Sequence, residues 1–183
     1  MTNRVARLGR SAMVTALAVG AALGVTLGGA ASASAAESTA AESVAGSAAV
    51  RLGPYGYGGV KLGMSAKQAQ KTGEIVKKSG GEGCSGWDLK AHPTGKDAVG
   101  LFISKKRGVA AIFAPKGVRT PEGIGIGSTM KQLKKVYPHL RTAASGYPVT
   151  TVPGNGKANY SFLLSHGKVY ELALSLKNQD CFN

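Results

Sequence analysis

Two stretches of this chain open a helix with the same grammar. They are LGMSAKQAQKTG (residues 62–73) and IGSTMKQLKKVY (residues 126–137). Each places an aliphatic residue and a glycine two positions ahead of a hydroxyl residue, and Lys-Gln follows. Ser65 and Thr129 are of the type that caps a helix N-terminus. Gly63 and Gly127 suit a sharp turn just before the cap. In the first copy Ala66 and Ala69 leave a small packing face, and Gly73 ends the helix. In the second, Met130, Leu133, Val136, Tyr137 and Leu140 fall at helical spacing, with Lys131, Lys134 and Lys135 on the other side. Pro138 stops this helix near Tyr137.

The likeness continues downstream. FISKKRGVAAIFA (residues 102–114) aligns without gaps to FLLSHGKVYELAL (residues 162–174), so that Phe102, Val109 and Ile112 match Phe162, Val169 and Leu172. Each block is two β-rich runs around a polar turn, a hairpin signal. One further strand precedes each hairpin, followed by a Pro/Gly turn. Two blocks recurring in the same order point to self-similar units. The expected fold is α+β: two tandem pseudo-repeats, 51–118 and 119–183, each a helix packed on its own small antiparallel β-sheet. A sheet needs only one buried face, so each unit can leave its other face open, and two such units side by side could join their sheets into a longer curved surface.

The residues LGMS (62–65) and IGST (126–129), each opening a helix in a helix-plus-sheet unit, give the chain a resemblance. It resembles the β-lactamase inhibitory protein family and the small outer-membrane assembly lipoproteins of the SmpA/OmlA type. The resemblance implies a concave sheet that binds a protein, often at the mouth of an enzyme active site. The chain departs from those inhibitors in having cysteines for one disulfide rather than one in each half. It departs from the lipoproteins in having no cysteine at the cleavage point.

The N-terminus reads as a signal peptide over residues 1–35. Arg4, Arg7 and Arg10 form a basic head, an uncharged Ala/Gly-rich run follows, and ASASAA offers small residues for cleavage after Ala35. The run is long enough to suggest an anchor, but its weak hydrophobicity and cleavage-like end favour removal. Residues 36–50 lack bulky core formers and read as a flexible leader. The expected location is outside the cell. Of 23 basic and 9 acidic residues, those in the signal and leader are Arg4, Arg7, Arg10, Glu37 and Glu42, which leaves the domain with 20 against 7. A formal +13 favours acidic partners: anionic wall polymer, nucleic acid or an acidic protein. Cys84 and Cys181, the only two cysteines, are expected to form a disulfide in an oxidising compartment.

No motif for catalysis, metal or cofactor stands out. His92, His139 and His166 sit in or beside turns, the acids show no paired spacing, and no serine lies in a G-x-S-x-G elbow. The glycine-rich YGYGG and GIGIGS lack a P-loop lysine. The expected function is therefore non-catalytic binding of a secreted or cell-surface protein, with inhibition of an extracellular enzyme as its sharpest form. The candidate contacts are Tyr160 and Tyr170 on the open sheet face and the Tyr55/Tyr57 loop. Tyr170 and its neighbour Glu171 alternate across the strand, so only one should look out from that face. The alternative is binding of a polyanion or cell wall through the hairpin tip Lys105, Lys106 and Arg107 and the lysine face of the second helix. An uncharacterised hydrolase is the weakest reading.

Overall fold

The structure, a computed structural model, describes residues 50–182. The signal peptide and nearly all of the leader lie outside the described residues.

Twelve elements follow in order. A small hairpin, β1 (Gly56–Tyr57) and β2 (Val60–Lys61), precedes α1 (Ala66–Lys71). Then come β3 (Ile75–Ser79), β4 (Cys84–Leu89), β5 (Leu101–Ser104) and β6 (Gly108–Phe113). After α2 (Met130–Val136) come β7 (Arg141–Thr142), β8 (Pro148–Val152), β9 (Asn155–Ser165) and β10 (Lys168–Leu176). The strands β3 to β10 form one antiparallel sheet of eight, in the order β3-β4-β5-β6-β10-β9-β8-β7.

This corrects the expected fold class. The molecule is mainly β, with two short helices on a single continuous sheet rather than two units each with its own. The seam is the pairing of β6 with β10, where Ile112 faces Leu174 and Phe113 faces Ala173. Both strands carry apolar side chains on both faces, so neither can serve as a solvated edge. The N-terminal segment also ties itself to the second half. The Leu52 amide donates to the Arg119 carbonyl (3.0 Å), and the Asn155 side chain donates to the Pro54 carbonyl (2.8 Å).

The two helix starts are built alike. Ser65 and Thr129 accept from the amides of Gln68 and Gln132, whose side chains return to the cap amides. These reciprocal bonds satisfy donors that a helix start otherwise leaves free. The preceding glycines have positive φ, +80° at Gly63 and +89° at Gly127. The Gly63 amide donates to Val109 O, and the Val109 amide to Met64 O (2.9 and 2.7 Å). Gly127 and Ser128 make the same pair of bonds with Val169 (2.7 and 2.8 Å). Each helix is thereby pinned to a sheet strand just past its hairpin tip.

A single core lies between the helices and one face of the sheet. Leu101, Ile112, Leu174, Leu172, Phe162 and Tyr160 project from the strands, and Ala69 and Leu133 come from the helices. All are fully buried. The Tyr137 ring closes this layer over Phe162, with centroids 5.6 Å apart. At the margins the sheet thins. β7 has two exposed residues, and β3 is irregular between Lys77 and Ser79.

Candidate functional site

Alternation along the strands sends a second set of side chains to the face opposite the helices. Phe102, Ala111 and Phe113 come from β5 and β6, and Glu171, Ala173 and Ser175 from β10. Ser161 and Asn159 pair with Ala173 and Ser175 and continue the face across β9. Neither helix covers this side.

The disulfide shapes one end of the face. Cys84 and Cys181 are bonded, as the cysteine count implies. The link brings Phe182 against Phe102 and Phe113, with ring centroids 5.8 and 6.1 Å apart, and those two rings are 5.9 Å from each other. Three aromatic side chains thus form an apolar block beside the small and polar residues Ala111, Ala173, Ser175, Ser161 and Asn159.

A groove of about 400 Å³ runs across the face beside this block. Phe102 and Phe113 form one side, Leu163, Val149 and Tyr147 the other, and Ala173 lies between. Asn159 Oδ1 lies inaccessible in its lining with no hydrogen-bond partner among the described residues. An unpaired buried acceptor costs on the order of 1–3 kcal/mol. A second groove of about 410 Å³ lies beyond the block, under the β4–β5 loop, and shares Phe102, Phe113 and Glu171 with the first.

Glu171 and Tyr170 are brought to the same groove. Strict alternation would send them to opposite faces. The register shifts between Val169 and Glu171, so Tyr170 is an extra residue with no partner on β9. Such a bulge bends the strand and re-aims a side chain. Tyr170 is 49% exposed. Burial raises the Glu171 carboxyl above the ordinary carboxylate range.

The other sequence candidates are dispersed. Tyr160 is not a surface contact. It is fully buried on the helix side, and its hydroxyl donates to Leu52 O at 2.7 Å. Tyr55 is exposed, and its hydroxyl donates to Gly154 O in the β8–β9 turn. Tyr57 is half-buried, with its hydroxyl 3.0 Å from His92 Nε2; burial first and Glu74 second raise its phenol. Its loop is held by the Gly59 amide, which donates to both oxygens of Glu74. Lys105, Lys106 and Arg107 are exposed at the β5–β6 tip, beside a cleft that includes Ser65, Gln68 and Ser85. Lys131, Lys134 and Lys135 are exposed on α2.

The histidines do not converge with an acid and a nucleophile among the described residues. His92 is engaged by Tyr57, His139 is exposed, and His166 contacts Ser165 in the β9–β10 turn. Asp180 lies near the sulfurs of Cys84 and Cys181, but both are consumed by the disulfide.

Sequence reasoning missed Phe102, Phe113 and Phe182 as a surface group. The signal for the first two was present. Phe102 alternates with Leu101 and Ile103, and Phe113 with Ile112, so one of each pair must leave the core. No family model, curated protein or solved structure matches this chain.

Proposed function

We propose that this chain is a secreted, non-catalytic protein-binding module that docks a secreted or cell-surface protein on the open face of its sheet. Blocking an extracellular enzyme is the sharpest form of that role. The observation that carries the reading is the groove between the Phe102–Phe113–Phe182 block and the Leu163/Val149/Tyr147 side. Aromatic anchors in a central apolar pocket with polar surroundings are the composition of a binding hot spot. The resemblance of the two helix starts to the β-lactamase inhibitory proteins supports the same use of the sheet. The Cys84–Cys181 disulfide is compatible with an oxidising compartment. No described helix is long and apolar enough to cross a membrane.

Capture tests this. Immobilised wild-type protein and the Phe113→Ala/Tyr170→Ala variant are exposed to the producing cell's culture fluid and envelope fraction, then washed up to about 1 M salt, where screening length falls to about 3 Å. One protein retained at high salt by the wild type and lost by the variant is expected. Release of everything at moderate salt, with only anionic polymer recovered, would sink the reading.

That outcome would favour a second one, binding of a polyanion or cell-wall polymer. Its support is the tip of Lys105, Lys106 and Arg107, three adjacent exposed cations over a cleft of about 400 Å³. Such contacts are made by charge and fade with salt.

A further inference from the structure

The domain carries a large positive excess, yet one groove on it is acidic. The cleft beyond the aromatic block is lined by Asp97 and Glu171 and by the aromatic side chains Phe102, Phe113 and Tyr170. No lysine, arginine or histidine lines it. The single ion pair among the described residues is Lys78–Asp88, so neither Asp97 nor Glu171 is ion-paired; the nearest groove with cations in its lining is the first, which Glu171 shares with Arg141 and Lys177. Tyr170 is placed there by the β10 bulge. The counterpart of this bulge on β6 lies at Ala110, which is fully buried. The exposed aromatic is therefore specific to this end of the face.

We propose that this groove takes the side chain of an arginine or lysine on the docked protein, seated against the aromatic rings and facing the two carboxylates. The inference rests on the protein-binding reading and names the chemistry of the partner. A cation over an aromatic face is attracted by the ring quadrupole. A carboxylate with no other partner accepts charge-assisted hydrogen bonds from a guanidinium or ammonium. The raised Glu171 carboxyl agrees, because a desolvated and unpaired carboxylate gains most from an arriving cation. Field and groove then play different roles. The net positive charge steers an acidic protein to the surface, and the local acidic groove selects the one that presents a basic side chain among apolar neighbours.

The test uses full-length protein and three peptides: acetyl-Phe-Arg-Phe-amide and its relatives with Gln or Glu in place of Arg. Backbone amide NMR shifts are followed on titration. The arginyl peptide should shift Val99, Phe113 and Glu171 saturably and bind at least ~10-fold more tightly than the glutaminyl one, as a paired charge requires. In Asp97→Asn/Glu171→Gln that preference should fall below ~2-fold, with the spectrum still dispersed. Tyr170→Leu, which keeps apolar bulk and removes the π face, should weaken the arginyl peptide by ~3-fold. A preference that survives loss of both carboxylates, or no binding of the arginyl peptide, overturns the inference. Equal binding of all three peptides at Phe102 and Phe113 also overturns it, while leaving the docking surface intact. Failure of the docking surface itself is read separately, from the capture experiment.

Discussion

The Tyr160 hydroxyl donates to the Leu52 carbonyl across 108 residues of chain, at 2.7 Å and fully buried. The bond joins the first segment of the domain to the long strand β9. Tyr160→Phe keeps the ring and leaves that carbonyl without a donor. The expected loss is about 1–3 kcal/mol in urea unfolding. Binding to a partner should be unchanged, which separates a core role from a contact role.

Gly108 and Gly127 both have positive φ, at +72° and +89°. They differ in what a methyl group would meet. At Gly108 a Cβ would collide with the carbonyls of Gly63 and Met64, the turn that leads into α1, while nothing lies within 4 Å at Gly127. Gly127→Ala should cost about 1–2 kcal/mol, the penalty for left-handed backbone. Gly108→Ala should cost clearly more, because backbone must move as well. Equal losses in thermal unfolding would contradict the geometry.

Acid stability should turn on Asp88. Burial alone would raise its carboxyl, but hydrogen bonds from Thr94, Lys78 and the Gly100 amide outweigh it and hold the group below its ordinary value of 3.8. The depressed group contributes stability above that ordinary value, and the contribution is lost as pH falls through the folded value. Asp88→Asn should therefore lower stability at pH 7 and flatten the acid limb below about pH 4.

Glu171 should behave with the opposite sign. Its folded carboxyl lies above the ordinary 4.5, so the ionised form is disfavoured in the native state. The cost is absent below the ordinary value and develops as pH rises through the folded one. Glu171→Gln should raise Tm at pH 7 and leave it unchanged at pH 3. A loss of stability at pH 7 would show that the carboxylate has a native partner.

Reduction of Cys84–Cys181 opens a loop with a sequence separation of 97. By the chain-entropy argument the unfolded state then gains about 4–5 kcal/mol of freedom. Release of the tail also frees Phe182 from Phe102 and Phe113. Reduced protein should melt lower and lose the affinity for its partner more steeply than Phe182→Ala does. Calorimetry with and without reductant, alongside a binding assay, checks both.

Local grammar was readable where one residue decides a conformation. Ser65, Thr129, Gly73 and Pro138 bounded the helices, and the polar turns marked both hairpins. The β3 strand gives no clear strand signal, because IVKKS carries two lysines and little alternation, as a sheet margin does. That the two sheets could join is an expectation of the sequence, but their junction at β6 and β10 is not readable, because pairing between distant strands leaves no periodic mark on either. For Tyr160 the sequence holds a usable signal against a surface role. Ala158, Tyr160 and Phe162 alternate with Asn159 and Ser161, which already puts the tyrosine on the core side. The Tyr170 bulge could not be foreseen, since one extra residue is apparent only against the partner strand.

The margins of the sheet have a consequence for how this protein behaves when crowded. An exposed strand with a full row of free amides and carbonyls invites another chain to add itself, and repeated addition gives fibres. Here β7 offers two residues, while β3 carries Lys77 and Lys78 and loses its register beside them. Edge-to-edge addition is thus discouraged at both ends of the eight-stranded ribbon, and the open face is presented to a partner by a sheet whose margins do not template further strands.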